Sequence, residues 1–149
     1  MEFLEVAKQE AKLAMSKGEV PVGAVIVMDG IVIAKAHNLK ENLKDITAHA
    51  EILAIKQASQ YIGDWRLTGC EMYVTLEPCP MCASAIAQSR ISKLHIGTFN
   101  KDMGACGSVV NLIDSVSLNY FVSVNWLYDK ECSELLTKFF DQKRNTIKF

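Results

Sequence analysis

Three prolines and eight glycines among 149 residues are too few for a collagen-like repeat or a linker-rich chain. Charge of either sign is also not in excess: 16 basic against 17 acidic side chains give a net charge of −1, a mild argument against a nucleic-acid partner, which favours a basic surface. Long hydrophobic runs are missing. The longest stretch without a charged residue, 115–128, contains three serines and two asparagines and falls short of the roughly 20 apolar residues that cross a bilayer. Near the N-terminus, Glu2, Glu5, Lys8, Glu10 and Lys12 interrupt the apolar positions, so no leader peptide is expected. Cysteine is too sparse, and odd in number (five, at 70, 79, 82, 106 and 132), for a disulfide framework. These absences together predict a soluble, reduced, cytoplasmic protein with no membrane association.

What is present is an ordinary core-forming composition, half hydrophobic and 22% charged, which excludes a disordered chain. Its length suits one domain over residues 1–149, burying about 70% of the unfolded surface. Phe3, Leu4, Ala7, Ala11 and Ala14 recur at helical spacing and stop at Gly18. Val20–Met28 reads as a buried strand, and Asp29-Gly30 turns it back into a partner at Ile31–Ala36. A polar loop, 38–46, precedes a helix over about Ala48–Tyr61, with Thr47 as its expected cap. A strand at Glu71–Leu76, a helix at Met81–Arg90 and a strand at Leu94–Gly97 follow. A fifth strand is expected at Tyr120–Val124, then a last helix capped by Asp129. The order predicts an α/β fold with a mixed five-stranded sheet.

Two segments carry chemistry: His49-Ala50-Glu51 and Pro78-Cys79-Pro80-Met81-Cys82. Two thiolates separated by two residues reach one zinc ion, and Pro80 suits the first helical position, which makes Cys79 the cap and Cys82 a first-turn residue. Both sulfurs then sit at the positive end of the helix dipole. On its own the pair also fits a redox or structural dithiol. If the strands preceding the two helices run parallel, His49 opens at the same sheet edge, which is where α/β sheets hold ligands. One histidine and two cysteines leave a fourth tetrahedral position open for water, as in catalytic rather than structural zinc sites. Residues two apart on a helix face different ways, so His49 and Glu51 share a site only at the helix end. There Glu51 can move a proton between water and a ring nitrogen.

The pattern His-x-Glu followed by Pro-Cys-x-x-Cys resembles the zinc-dependent cytidine-deaminase-like superfamily. Further segments are similar to the bacterial tRNA adenosine deaminases: residues 18–24 (Gly-Glu-Val-Pro-Val-Gly-Ala), His37-Asn38, 47–51, Trp65-Arg66-Leu67, 73–79, 104–108 and Phe139-Phe140. The resemblance implies a three-layer α/β/α fold and a single zinc-dependent deaminase domain, residues 1–149. It further implies a homodimer, one Zn2+ per chain, and conversion of the wobble adenosine to inosine in a tRNA anticodon stem-loop. Carried over residue by residue, His49, Cys79 and Cys82 would bind the metal and Glu51 would be catalytic. Asn38, Asn100, Phe139, Phe140 and Arg144 would meet the substrate. Asn100 departs from the acidic residue usual in that loop, and a neutral amide there would loosen discrimination at the sugar.

Other readings stay open on the residues alone. Asn38 also suits a loop asparagine that caps its own backbone, and Phe139 and Phe140 complete a helical stripe with Leu135 and Leu136 that suits a core. Cys70 and Cys132 read as small buried hydrophobes and His95 as a packed or edge histidine. His37 reads as a strand-end residue that positions Asn38, and Cys106 as an exposed loop thiol. The apolar helix residues Ala83, Ala85, Ile86 and Ala87 suit close packing of a dimer. Rival functions are a deaminase of free guanine or cytosine, a non-catalytic zinc module binding RNA or protein, and a thiol redox protein. The net charge hides an asymmetry: residues 1–75 hold 8 basic and 10 acidic side chains, whereas Lys138, Lys143, Arg144 and Lys148 face only Asp141 in the last twelve. That basic end suits phosphate contacts.

Overall fold

The computed structural model describes residues 2–147, with side chains to 145; Lys148 of the basic end lies outside them. The elements in chain order are α1 (Glu2–Ser16), β1 (Gly23–Met28), β2 (Ile31–His37), α2 (Lys40–Leu43), α3 (Ala50–Ile62), β3 (Cys70–Leu76), α4 (Pro80–Gln88), β4 (Lys93–Thr98), β5 (Asp114–Ser115), β6 (Tyr120–Phe121), β7 (Ser123–Trp126) and α5 (Lys130–Ile147). Five strands form one sheet in the order β2-β1-β3-β4-β7, and β5 and β6 make a separate two-stranded ribbon. β1 is antiparallel to both β2 and β3, while β3, β4 and β7 are mutually parallel. β2 and β3 therefore run the same way, and the helices that follow them begin at the same edge of the sheet.

Strand alternation sorts the core into two layers. Ala24 and Ile26 of β1, Met72 and Val74 of β3, and Leu94 and Ile96 of β4 pack against Ala50, Ala54 and Ala58 of α3 and Ala83, Ile86 and Ala87 of α4. Val25 and Val27 point to the opposite face, with Leu4 and Ala7 of α1 and Cys132 of α5. This is the expected α/β/α arrangement. Gly23 lets α1 approach the sheet, because a Cβ there would collide with the Ala7 carbonyl.

Several sequence expectations need correction. The first strand starts at Gly23 rather than Val20: Pro21 has no N–H for a ladder, and Val22 donates locally to Val20 instead. The polar loop contains α2, whose first-turn amides are held by a buried carboxylate, Glu19. The cap of α3 is His49, not Thr47, whose hydroxyl and amide bond to Asp45. The fifth sheet strand is Ser123–Trp126, and Tyr120–Phe121 pairs with Asp114–Ser115. Cys106 is buried, not exposed, and burial pushes its thiol above the ordinary range. Ala83, Ile86 and Ala87 are consumed by the chain's own core, leaving Ala85 partly exposed on that helix. Asp129 does cap α5, accepting from the Cys132 amide at 3.1 Å. His95 is packed, stacked on Tyr73 and bonded to Glu71 and Asn125.

Candidate active site

Two helix starts build the site with the same local device. His49 and Cys79 are both N-cap residues with extended backbone (φ −77° and −73°), and neither side chain caps its own helix. Their side chains are thus free to project toward each other. Pro80 occupies the first turn of α4, where its missing N–H costs nothing, and Cys82 follows one turn up. Because His49 lies just outside the helix and Glu51 just inside, the two share one space despite their spacing.

His49 Nδ1 lies 3.4 Å from Cys82 Sγ and 3.7 Å from Cys79 Sγ. The three ligand atoms fall within 4.8 Å of one another, a group able to hold a metal ion. An imidazole nitrogen and a thiolate bound tetrahedrally to one zinc ion sit about 3.6 Å apart. The donor set and its spacing therefore fit that ion. No other cysteine, histidine or carboxylate joins the three, so among the described residues the set stays at three donors.

The protonation of the group follows from its packing. A hydrogen bond from Cys82, aided by His49, pulls the Cys79 thiol down to about 4. The hydrogen bond to Cys79 raises His49 above its ordinary value against the opposing effect of burial. Glu51 is almost wholly buried, and burial pushes its carboxyl up to about 7. A carboxyl near neutrality exchanges protons in both directions at physiological pH, which is what acid–base catalysis requires.

These groups floor a cavity of about 690 Å3. His49, Glu51 and Cys79 line it together with Asn38, Asn100, Phe140 and Arg144. Cys82 lies beneath, fully buried. Phe139 does not line the cavity; it is buried and packs edge-to-face on Phe140, with ring centroids 5.3 Å apart. The two readings of this pair are thereby divided between the two rings. Asn38 spans both of its roles: its Oδ1 accepts from the Lys40 amide and its Nδ2 donates to the Val20 carbonyl, yet it faces the cavity. Asn100 uses Oδ1 to accept from the amides of Asp102 and Met103. Arg144 pairs with Asp141 on the same helix. His37 ends β2 and bonds through Nδ1 to Glu10 of α1 at 2.8 Å, which fixes the strand end beside Asn38.

Sequence reasoning missed Lys40 and Lys101, which bring two further cations to the cavity wall, and Glu77. Glu77 had one legible signal: a carboxylate wedged between an apolar strand and Pro78 has no obvious route to water.

Residues 2–144 match the MafB19-like deaminase family. The chain is 52% identical over 145 residues to the tRNA-specific adenosine deaminase of Aquifex aeolicus, covering 97% of this chain and 96% of that one. A solved structure from work on A-to-I editing by tRNA:A34 deaminases at the wobble position of transfer RNA superposes with a TM-score of 0.87 at 43% identity, covering 91% of this chain and 99% of that chain. The guanine deaminase of Bacillus subtilis is more distant, at 31% identity and a TM-score of 0.65, covering 96% of this chain and 92% of its own. The site geometry and these likenesses agree: the chain belongs to the MafB19-like deaminases, among the tRNA-specific adenosine deaminases.

Proposed function

We propose that this protein hydrolytically deaminates adenosine to inosine at the wobble position of a tRNA anticodon. The observation that carries the reading is Glu51, a buried carboxyl placed beside a three-donor group able to hold a metal ion, both lining a cavity wide enough for a nucleoside. A structural metal site has no use for such a group.

His49, Cys79 and Cys82 would hold one Zn2+, which when bound supplies the Lewis acidity that makes water a nucleophile at neutral pH. Glu51 takes a proton from the attacking water and delivers it to N1 of the adenine ring. As the C6–N bond breaks, the same carboxyl takes the second proton from the new C6 hydroxyl and gives it to the departing amine, so adenosine and water become inosine and ammonia. Asn38 is held by two backbone contacts and presents its amide to the base. Phe140, 45% exposed beside the cavity, offers a face for stacking, and Arg144, Lys40 and Lys101 offer charge to the neighbouring phosphates.

The protein is further read as a cytoplasmic homodimer of a single deaminase domain, residues 1–149. The family match over residues 2–144 supports the domain reading. Trp65, Leu118 and Phe121 are exposed around a second hollow of about 770 Å3 beside α3 and α4, apolar surface that a second copy would cover. No helix among the described residues is long and apolar enough to cross a membrane.

The test offers an anticodon stem-loop bearing adenosine alongside free guanine, cytosine and adenosine, and measures ammonia. Turnover of the stem-loop with inosine at the wobble position is expected, and bulk tRNA treated with the protein should read guanosine there on sequencing. The second reading, a free-guanine deaminase, is favoured by the Bacillus subtilis likeness and predicts ammonia from guanine alone. Glu51→Gln separates both from a non-catalytic zinc module: turnover should fall about 10²- to 10⁴-fold with metal retained.

A further inference from the structure

The Glu77 carboxylate is nearly inaccessible, at 1% exposure, and no cation pairs with it among the described residues. Its two oxygens are satisfied instead by N–H and O–H donors from one loop. Oε1 accepts from the Asn100 amide at 2.9 Å and from the Ser108 hydroxyl. Oε2 accepts from the amides of Cys106 at 2.9 Å and Ser108 at 3.1 Å. A Cβ at Gly104 would collide with this carboxylate and with the Asn100 carbonyl, so the loop closes over Glu77 only with glycine at that position. Between the anchored ends, Asn100, Lys101, Asp102 and Met103 form one wall of the cavity. The other end of the same short segment is Cys79, two residues on.

From this arrangement we infer that Glu77 is a positioning residue that fixes the 99–103 wall of the substrate cavity relative to the metal-binding cysteines. One side chain sets the distance between where the base reacts and where the rest of the substrate is held. A glutamine here is not a conservative replacement. Its NH2 group would face amide donors on one side, so about half of the loop's anchorage would turn repulsive. The metal donors, which Glu77 does not touch, would stay in place.

The inference rests on the deaminase reading, and the experiment separates the two. Steady-state kinetics on the anticodon stem-loop, zinc per chain and hydrogen exchange of residues 99–108 are measured for wild type, Glu77→Gln and Ser108→Ala. Glu77→Gln should raise KM about tenfold or more while kcat changes by less than about threefold and one zinc per chain is kept. Ser108→Ala, which removes one donor and adds none, should shift KM the same way by less. Exchange at amides 100, 106 and 108 should accelerate in Glu77→Gln. Unchanged KM with lowered thermal stability would reduce Glu77 to a structural residue, and loss of zinc would assign it to the cysteine end alone; either overturns the inference. If wild type ignores the stem-loop, the deaminase-of-tRNA reading fails instead, and the same KM split is read on whichever free base releases ammonia.

Discussion

Replacing Lys8 by methionine probes how α5, which carries Phe140 and Arg144 to the cavity, is held against the rest of the molecule. The Lys8 ammonium is buried and lies 2.7 Å from Glu5, 3.0 Å from Asp129 and 3.1 Å from Glu131. Burial opposes its charge, but the three carboxylates outweigh burial and hold the lysine above its ordinary range. Methionine keeps the stem and its packing and deletes the charge. Removing one member of a buried pair costs about 3–5 kcal/mol. Asp129 is 16% exposed and keeps its cap bond to Cys132, which moderates the cost to about 2–3 kcal/mol. For a chain of this size that lowers Tm by about 5–10 °C. The pH dependence has a definite sign. Asp129 is depressed in the folded state, burial being overcome by Lys8 and the Cys132 amide, so its contribution is present above its unfolded value near 4 and is lost as pH falls through the folded one. Urea unfolding of both proteins at pH 7 and pH 2.5 should show the full gap at pH 7 and little at pH 2.5. A gap below about 0.5 kcal/mol at pH 7, or one that persists unchanged in acid, would refute the ion-pair argument.

Chelation of the metal should lower Tm by about 10 °C if zinc is present a thousandfold above its dissociation constant, and Cys82→Ser should abolish both the shift and the zinc content. Glu19→Ala strips the partner from the amides of Glu41 and Asn42 and the Asn42 side chain, at a cost of about 2–3 kcal/mol in urea unfolding at pH 7. Because Glu19 is depressed when folded, with burial outweighed by those Asn42 and Glu41 bonds, wild type should lose the same stability as pH falls below about 4, and the two curves should converge. Phe139→Ala should cost about 3–4 kcal/mol, whereas Phe140→Ala should leave Tm within about 4 °C and raise KM for the stem-loop.

Much of the site's framework was legible because it is local. The proline after Cys79 announces one helix start, the alanine-rich run after His49 places the other to within two residues though with Thr47 as the expected cap, and the strands preceding them have clear apolar patterns. The two-residue gap between Cys79 and Cys82 shows that both thiols reach one ion, whereas bringing in His49, thirty residues earlier, takes the parallel run of β2 and β3. What escaped was non-local. Lys8, Glu19 and Glu77 look like solvated charges in a periodic pattern, yet each is buried because partners far along the chain surround it. α2 was hidden in a polar segment whose amides are capped by a residue about twenty positions earlier. The shift of the fifth strand to Ser123–Trp126 has the same origin: the segment 99–122 is shaped by Glu77 and by the β5–β6 ribbon, not by its own alternation.

The change from antiparallel to parallel pairing at β3 orders events in time. The hairpin of β1 and β2 closes through a two-residue turn, whereas β4 and β7 pair only after a long excursion through residues 99–122. Local pairings form early and distant parallel ones late, both on refolding and as a chain leaves the ribosome N-terminus first. His49 follows the early hairpin, and the two cysteines follow the strand that joins the halves. Assembly of the three-donor group thus waits for β3 to join the hairpin, and in stopped-flow refolding with zinc added a zinc-sensitive dye should report uptake after the rise of far-UV ellipticity.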